Sequence, residues 1–211
     1  MLTETNTARL DCRIVTVARP VVTRRAEILS VAARLFAQHG YRGTTIDDLG
    51  AALGLTGPAL YRHFRNKEAL LAEMLLDISE RLLAEGRARV ASASGPQAAL
   101  TALLDWHIGF ALDEPSLIVV HERELASVPA PQRREVRRLQ RAYAEEWTQV
   151  LRRIQPAVTD VRARAAVHAV FGLLNSTPHS ASELDRMAMA SLLHTMAARS
   201  LAAVAGPGLV A

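Results

Sequence analysis

Tyr61, Arg62 and His63 are consecutive, and Lys67, the only lysine in the chain, follows four residues later. They belong to, or closely follow, the stretch TGPALYRHF (Thr56–Phe64), which is too short and too polar to be a core helix. Side chains of these types, displayed together, suit contact with a polyanion. Charge placement agrees: residues 1–67 hold ten Lys/Arg against five Asp/Glu, while residues 68–211 hold fifteen against sixteen. Charge alone would equally fit random scatter, so the weight rests on the motif that coincides with it. Enzyme chemistry has weaker support. His121-Glu122-Arg123-Glu124 begins like a zinc-binding H-E-x-x-H, but position 125 is Leu, so the second ligand is missing. Cys12 has no fixed histidine beside it. No G-x-S-x-G, G-x-x-x-x-G-K or G-x-G-x-x-G occurs. The sequence therefore predicts no catalytic residues, no metal and no cofactor.

The elements that position these residues are helical. At 211 residues the chain exceeds one average domain of ~150 residues, and half of it is hydrophobic, enough for a sizeable core. Alanine, leucine and arginine dominate, which favours helices. One cysteine excludes a disulfide within the chain and suggests a reducing cytoplasm. No apolar run approaches the ~18 residues of a membrane span, so no membrane partner is expected. Met1–Pro20 lacks the pattern of a secretory signal and reads as part of a loosely ordered arm, residues 1–22. Arg9, Arg13 and Arg19 on that arm either reach a minor groove or have no function.

Thr23 caps a first helix to about His39, with Ile28, Val31, Ala32, Leu35 and Phe36 on one stripe and Gly40 ending it. Thr45 and Asp48 form a capping box that opens a second helix, with Ile46, Leu49 and Leu53 inward and Gly54 as its stop. Thr56 caps a third helix, in which Pro58 is tolerated in the first turn. Asn66 caps a fourth helix of about 67–85, with Leu70, Leu71, Met74, Ile78 and Leu82 on its stripe. Residues 86–96 read as a linker. Longer, more apolar helices follow at roughly 97–113, 115–126, 130–154, 160–175 and 182–204, and residues 207–211 form a tail. The fold class is all-α.

Two short helices joined by a tight glycine turn make a helix-turn-helix. Gly50 lies four positions before the turn glycine, Gly54, where the helices cross and a small residue is needed. Leu49, Leu55 and Leu60 lock the pair. That leaves Thr56, Gly57, Tyr61, Arg62 and His63 around the exposed face and ends of the third helix, which can enter a major groove. The segment TTIDDLGAALGLTGPALYRHFRNKEALL resembles the DNA-binding domain of the TetR family of transcriptional regulators, closely over about 23–70 and in architecture throughout. One departure is Gly50, where the family more often has Ala; it suggests a softer second helix.

The resemblance implies an N-terminal three-helix helix-turn-helix domain (23–67) that binds a double-stranded DNA operator. It also implies a C-terminal helical ligand-binding and dimerisation domain (68–206). By the same resemblance Arg42, Thr44, Thr45, Thr56, Gly57, Pro58, Tyr61, Arg62, His63 and Lys67 face DNA. Thr45 and Thr56 would donate to phosphates or bases, and Gly57 and Pro58 would allow close backbone approach. Pro58 or Ala59 would meet a thymine methyl, Tyr61 a phosphate, Arg62 a guanine or a phosphate, and His63 and Lys67 the DNA backbone. Alternatives stay open at several positions: Tyr61 and His63 as packing side chains, Arg62 as a solvated one, and Arg24 and Arg25 facing either DNA or water.

In the second domain the resemblance implies a homodimer made by the last two helices, which on their own would equally suit a buried core. It also implies a pocket for a small hydrophobic effector. Trp106, His107, Phe110, His121, Glu122, Trp147, His168, Phe171 and Asn175, polar or aromatic in apolar surroundings, are its candidate lining. Residues 124–147 are similar to acyl-CoA-responsive members. Arg133, Arg134, Arg137, Arg138 and Arg141 would either meet CoA phosphates or form a solvated face, with Arg141 paired to Glu145. The reading is a dimeric repressor, binding a palindromic operator and released by an acyl-CoA or fatty acid. The alternative is a helical small-molecule carrier or sensor without DNA binding, which leaves Tyr61, Arg62, His63 and Lys67 without purpose.

Overall fold

The computed structural model describes residues 23–180 and 184–205. The arm and the closing tail, with Arg9, Cys12, Arg13 and Arg19, lie outside the described residues. Among those described are nine α-helices and no strand: α1 (Arg24–His39), α2 (Ile46–Leu53), α3 (Gly57–Tyr61), α4 (Lys67–Ser92), α5 (Pro96–Asp113), α6 (Pro115–Glu124), α7 (Ala130–Ile154), α8 (Asp160–Leu174) and α9 (Arg186–Ala202). Short 3-10 turns continue α6 at Leu125–Ser127 and α9 at Ala203–Ala205, and a third, Thr177–His179, follows α8.

The helix starts follow local chemistry. The Thr23 hydroxyl accepts the Ala26 N–H, and Asn66 Oδ1 accepts that of Ala69. Thr45 accepts from the Asp48 N–H at 3.1 Å while the Asp48 carboxylate accepts the Thr45 N–H at 2.7 Å, closing the capping box. Thr56 occupies the first cap position of α3, yet its side chain caps nothing.

The expected linker at 86–96 is largely helix. α4 runs on to Ser92, because Gly86 is buried against α7 and a Cβ there would lie 2.7 Å from the Tyr143 ring. The glycine lets two long helices pack closely and does not end one.

Two apolar clusters result. The first joins Ile28, Phe36, Leu49, Leu60 and Phe64 to Leu70–Ile78 of α4 and to Leu117, Ile118 and Val120 of α6. The second gathers Leu83 of α4 with α5, α7, α8 and α9 around the fully buried Trp147. Leu76 and Leu82 pack against both.

Candidate nucleic-acid interface and effector cavity

Gly54, in the left-handed conformation (φ 63°), turns the chain between α2 and α3, and the Leu55 N–H returns to the Gly50 carbonyl at 2.8 Å. A Cβ at Gly50 would lie 2.6 Å from the Leu55 carbonyl oxygen. The glycine is therefore a steric requirement of this crossing, more than a softening of α2. Leu49 and Leu60 are buried and Leu55 partly so, which holds α3 against the core. On its outer side Tyr61 is half exposed, Arg62, Pro58 and Thr56 are exposed, and Gly57 and His63 are intermediate. Arg42, in the turn after α1, is exposed and unpaired among the described residues.

Several expected DNA-facing groups stand elsewhere. Thr44 is 1% exposed, and its hydroxyl donates to the Gly40 carbonyl at 2.9 Å and lies 3.3 Å from that of Leu35. It is a structural clamp on the α1–α2 turn and presents nothing to a phosphate. Ala59 is buried, so Pro58 alone remains for a methyl contact. The Thr45 hydroxyl donates to Asp48 at 2.7 Å, and this bond, with the backbone bond from the same threonine, holds the Asp48 carboxyl below its ordinary range. Lys67 Nζ donates to the Tyr41 and Thr44 carbonyls, both at 2.8 Å, and sits 4.5 Å over the Tyr41 ring, which leaves one of its three protons.

Arg24 and Arg25 are exposed, yet both are tied to the rest of the chain. Arg24 donates to the Leu53 carbonyl at the end of α2. Arg25 pairs with Glu73, stacks over Phe64 and donates to the His63 carbonyl at 2.8 Å, tying α1 to the residues just past α3.

A cavity of about 330 Å³ opens between α4, α5, α6, α7 and α8. Six expected residues line it: His107, Phe110, His121, His168, Phe171 and Asn175. Three do not. Trp147 is fully buried in the second cluster, Trp106 lies under the Arg89 guanidinium, and Glu122 is an exposed partner of His179 at 3.7 Å. Ser79, Gln140 and Tyr143 also line it and were not anticipated. On α7, Arg137, Gln140, Arg141 and Ala144 fall on one i, i+3, i+4, i+7 row, the spacing that would have found Gln140.

At the buried end His107 Nε2 lies 3.0 Å from Asn175 Oδ1 and Nδ1 lies 3.4 Å from the Tyr143 hydroxyl. The ring stacks on Phe171 at 4.9 Å. Burial pushes the His107 imidazole down to about 4, against the Asn175 bond, so it is neutral near pH 7. Burial likewise lowers His121, which contacts Gln140, and raises the Tyr143 phenol. At the solvent end Arg137 and Arg141 are exposed and unpaired among the described residues. The anticipated Arg141–Glu145 pair is absent; Glu145 meets Arg164 at 3.3 Å, and the α7 pair nearest the mouth is Arg138–Glu135.

α8 and α9 keep an outward apolar face: Val161 and Met187 are about four-fifths exposed, and Leu192 and Met196 nearly half. No described helix is long and apolar enough to cross a membrane.

Residues 28–74 match the profile described as bacterial regulatory proteins, tetR family, and residues 93–179 that described as tetracyclin repressor-like, C-terminal domain. The chain is 33% identical over 129 residues to the HTH-type transcriptional repressor KstR2 of Rhodococcus jostii, covering 61% of this chain and 63% of that one, under two thirds of the relative's length. Among solved structures, the TetR family regulator PfmR of Thermus thermophilus superimposes with a TM-score of 0.72 at 28% identity, over 83% of this chain and 97% of that one. AibR, solved with isovaleryl coenzyme A and operator DNA, gives 0.68 at 21% identity over 82% and 97%, a likeness of fold.

Proposed function

Because the chain belongs to the tetR family of bacterial regulatory proteins, we propose that it is a transcriptional repressor that binds a palindromic operator as a homodimer and leaves it on binding a small hydrophobic effector. The observation that carries the reading is the outward display of Tyr61 and Arg62 on a short helix locked from behind by Leu49 and Leu60. One such helix reaches only a few base pairs, so two copies must sit about 34 Å apart on adjacent major-groove faces. The exposed Val161, Met187, Leu192 and Met196 supply an apolar surface for the second copy.

The effector falls in the acyl-CoA or fatty acid class. Phe110, Leu117, Ile118 and Phe171 wall the cavity, and unpaired Arg137 and Arg141 stand at its solvent end to receive an anionic head. An effector that favours the spacing of the two reading helices unsuited to DNA weakens operator affinity by the factor of its preference.

The test is selection of bound fragments from source DNA, followed by anisotropy titrations at several salt concentrations with and without acyl-CoA esters. Steep salt dependence is expected, about 0.9 log units of affinity per log unit of salt for each phosphate contact. Absent or salt-insensitive binding would instead favour a carrier.

A further inference from the structure

Three residues at the buried end of the cavity have no role in holding a plain acyl chain. His107 and Tyr143 are 3% and 4% exposed, and Asn175 lines the cavity beside them. Because His107 Nε2 faces the Asn175 amide oxygen at 3.0 Å, that nitrogen carries the ring proton and donates. Nδ1 is then the acceptor, and the Tyr143 hydroxyl donates to it at 3.4 Å. The chain of bonds has a direction, and it leaves one group over. The Asn175 NH2 has no partner among the described residues, whereas the Tyr143 oxygen, with its proton turned to His107, faces the indole N–H of Trp147, a buried donor with no other partner. A donor thus remains in the cavity, beyond the apolar walls formed by Leu82, Leu117, Phe110 and Phe171.

The exposed mouth of the cavity carries Arg137 and Arg141. Arg137 precedes Tyr143 by six residues on α7, about 9 Å along the helix axis. We propose that the effector is bifunctional: a compact apolar chain with an anion at the Arg137–Arg141 end and a hydroxyl or oxo oxygen at the far end, received by the Asn175 amide N–H. This rests on the effector reading above and narrows it. A plain methyl terminus would face an unpartnered N–H, and a site built to hydrogen-bond an oxygen rejects the analogue that lacks it. The 330 Å³ volume, near the lower bound of ligand cavities, sets the compact size.

The anion is either a free carboxylate or the phosphates of a coenzyme A ester, so four probes separate the sources: octanoate, 8-hydroxyoctanoate and the CoA ester of each. Each is titrated calorimetrically into the full chain, with operator release followed by anisotropy in parallel. In the pair that binds, the hydroxylated member is expected to bind about tenfold to a hundredfold tighter than the plain one. Asn175→Ala and the near-isosteric Asn175→Leu, both of which remove the amide N–H, should each erase that preference while the plain chain still binds. Arg137→Ala with Arg141→Ala should weaken both members alike. Equal binding of plain and hydroxylated chains, a preference that survives both variants, or no binding by any probe overturns the proposal. Operator release by the plain chain as readily as by the hydroxylated one overturns this narrowing and leaves the regulator standing. Selective binding with no operator affinity supports the bifunctional effector and removes the regulator.

Discussion

The carboxylate of Glu124, the last residue of α6, accepts the backbone N–H of Tyr41 at 3.1 Å. Tyr41 in turn gives its carbonyl to Lys67 Nζ at the start of α4. α6 also supplies Leu117, Ile118 and His121 to the cavity. One helix therefore lines the cavity with one face and holds the turn after α1 with its end. Glu124→Ala should leave the Tyr41 N–H without its partner and reduce the effector's ability to lower operator affinity. Linked titrations of DNA and effector check this: the coupling, ordinarily about 1–3 kcal/mol in such systems, should shrink while effector binding to the DNA-free protein persists. Unchanged coupling would remove Glu124 from the route.

Gly50→Ala should destabilise the chain even though alanine is the better helix former by about 1 kcal/mol. The new Cβ would stand 2.6 Å from a backbone oxygen, that of Leu55, which cannot rotate away. Overpacking of this kind costs about 1–3 kcal/mol. Chemical denaturation should show a lowered midpoint, accompanied by weaker operator binding as α3 shifts.

Arg62 and Lys67 should separate cleanly. Arg62 is exposed and unpaired among the described residues, so Arg62→Ala is expected to leave the melting temperature unchanged and to weaken operator binding about tenfold or more. Lys67 bridges two carbonyls and covers the Tyr41 ring. Lys67→Ala should lower the melting temperature, through the loss of charged hydrogen bonds worth about 1.5–3 kcal/mol each at part-buried sites.

His107 makes the fold acid-sensitive. Its imidazole titrates at about 4 in the folded chain against 6.5 ordinarily. Between those values the unfolded chain binds a proton that the folded chain refuses, so stability falls as pH drops from 6.5 towards 4 and is unaffected above that range. The loss approaches about 3 kcal/mol at the lower end. His107→Gln, which cannot titrate, should flatten that part of the pH–stability curve even if it lowers the whole of it.

The helix starts were legible because capping is a conversation between residues three apart: Thr23 with Ala26, Thr45 with Asp48, Asn66 with Ala69. What sequence could not reveal was set by partners far along the chain. Gly86 reads as a breaker until Tyr143 is seen packed on it. Thr44 reads as an exposed hydroxyl until the Leu35 and Gly40 carbonyls close around it. Arg25 reads as a free cation until Glu73, Phe64 and the His63 carbonyl gather round it. Of the cavity candidates picked out by residue type, His107, Phe171 and Asn175 line it. Trp147 does not, because a large aromatic suits a sealed core as well as a ligand wall, and its complete burial puts it in the core.

The 26 residues of α4 are shared property. Leu70 to Ile78 complete one hydrophobic cluster, Leu83 belongs to the other, and Leu76 and Leu82 belong to both. A graft that swaps the first 67 residues for another reading head would seat a foreign surface on leucines shaped for this one. Chimeras of this chain should keep their own α4 and α6 with the head, which places a single seam beyond Glu124.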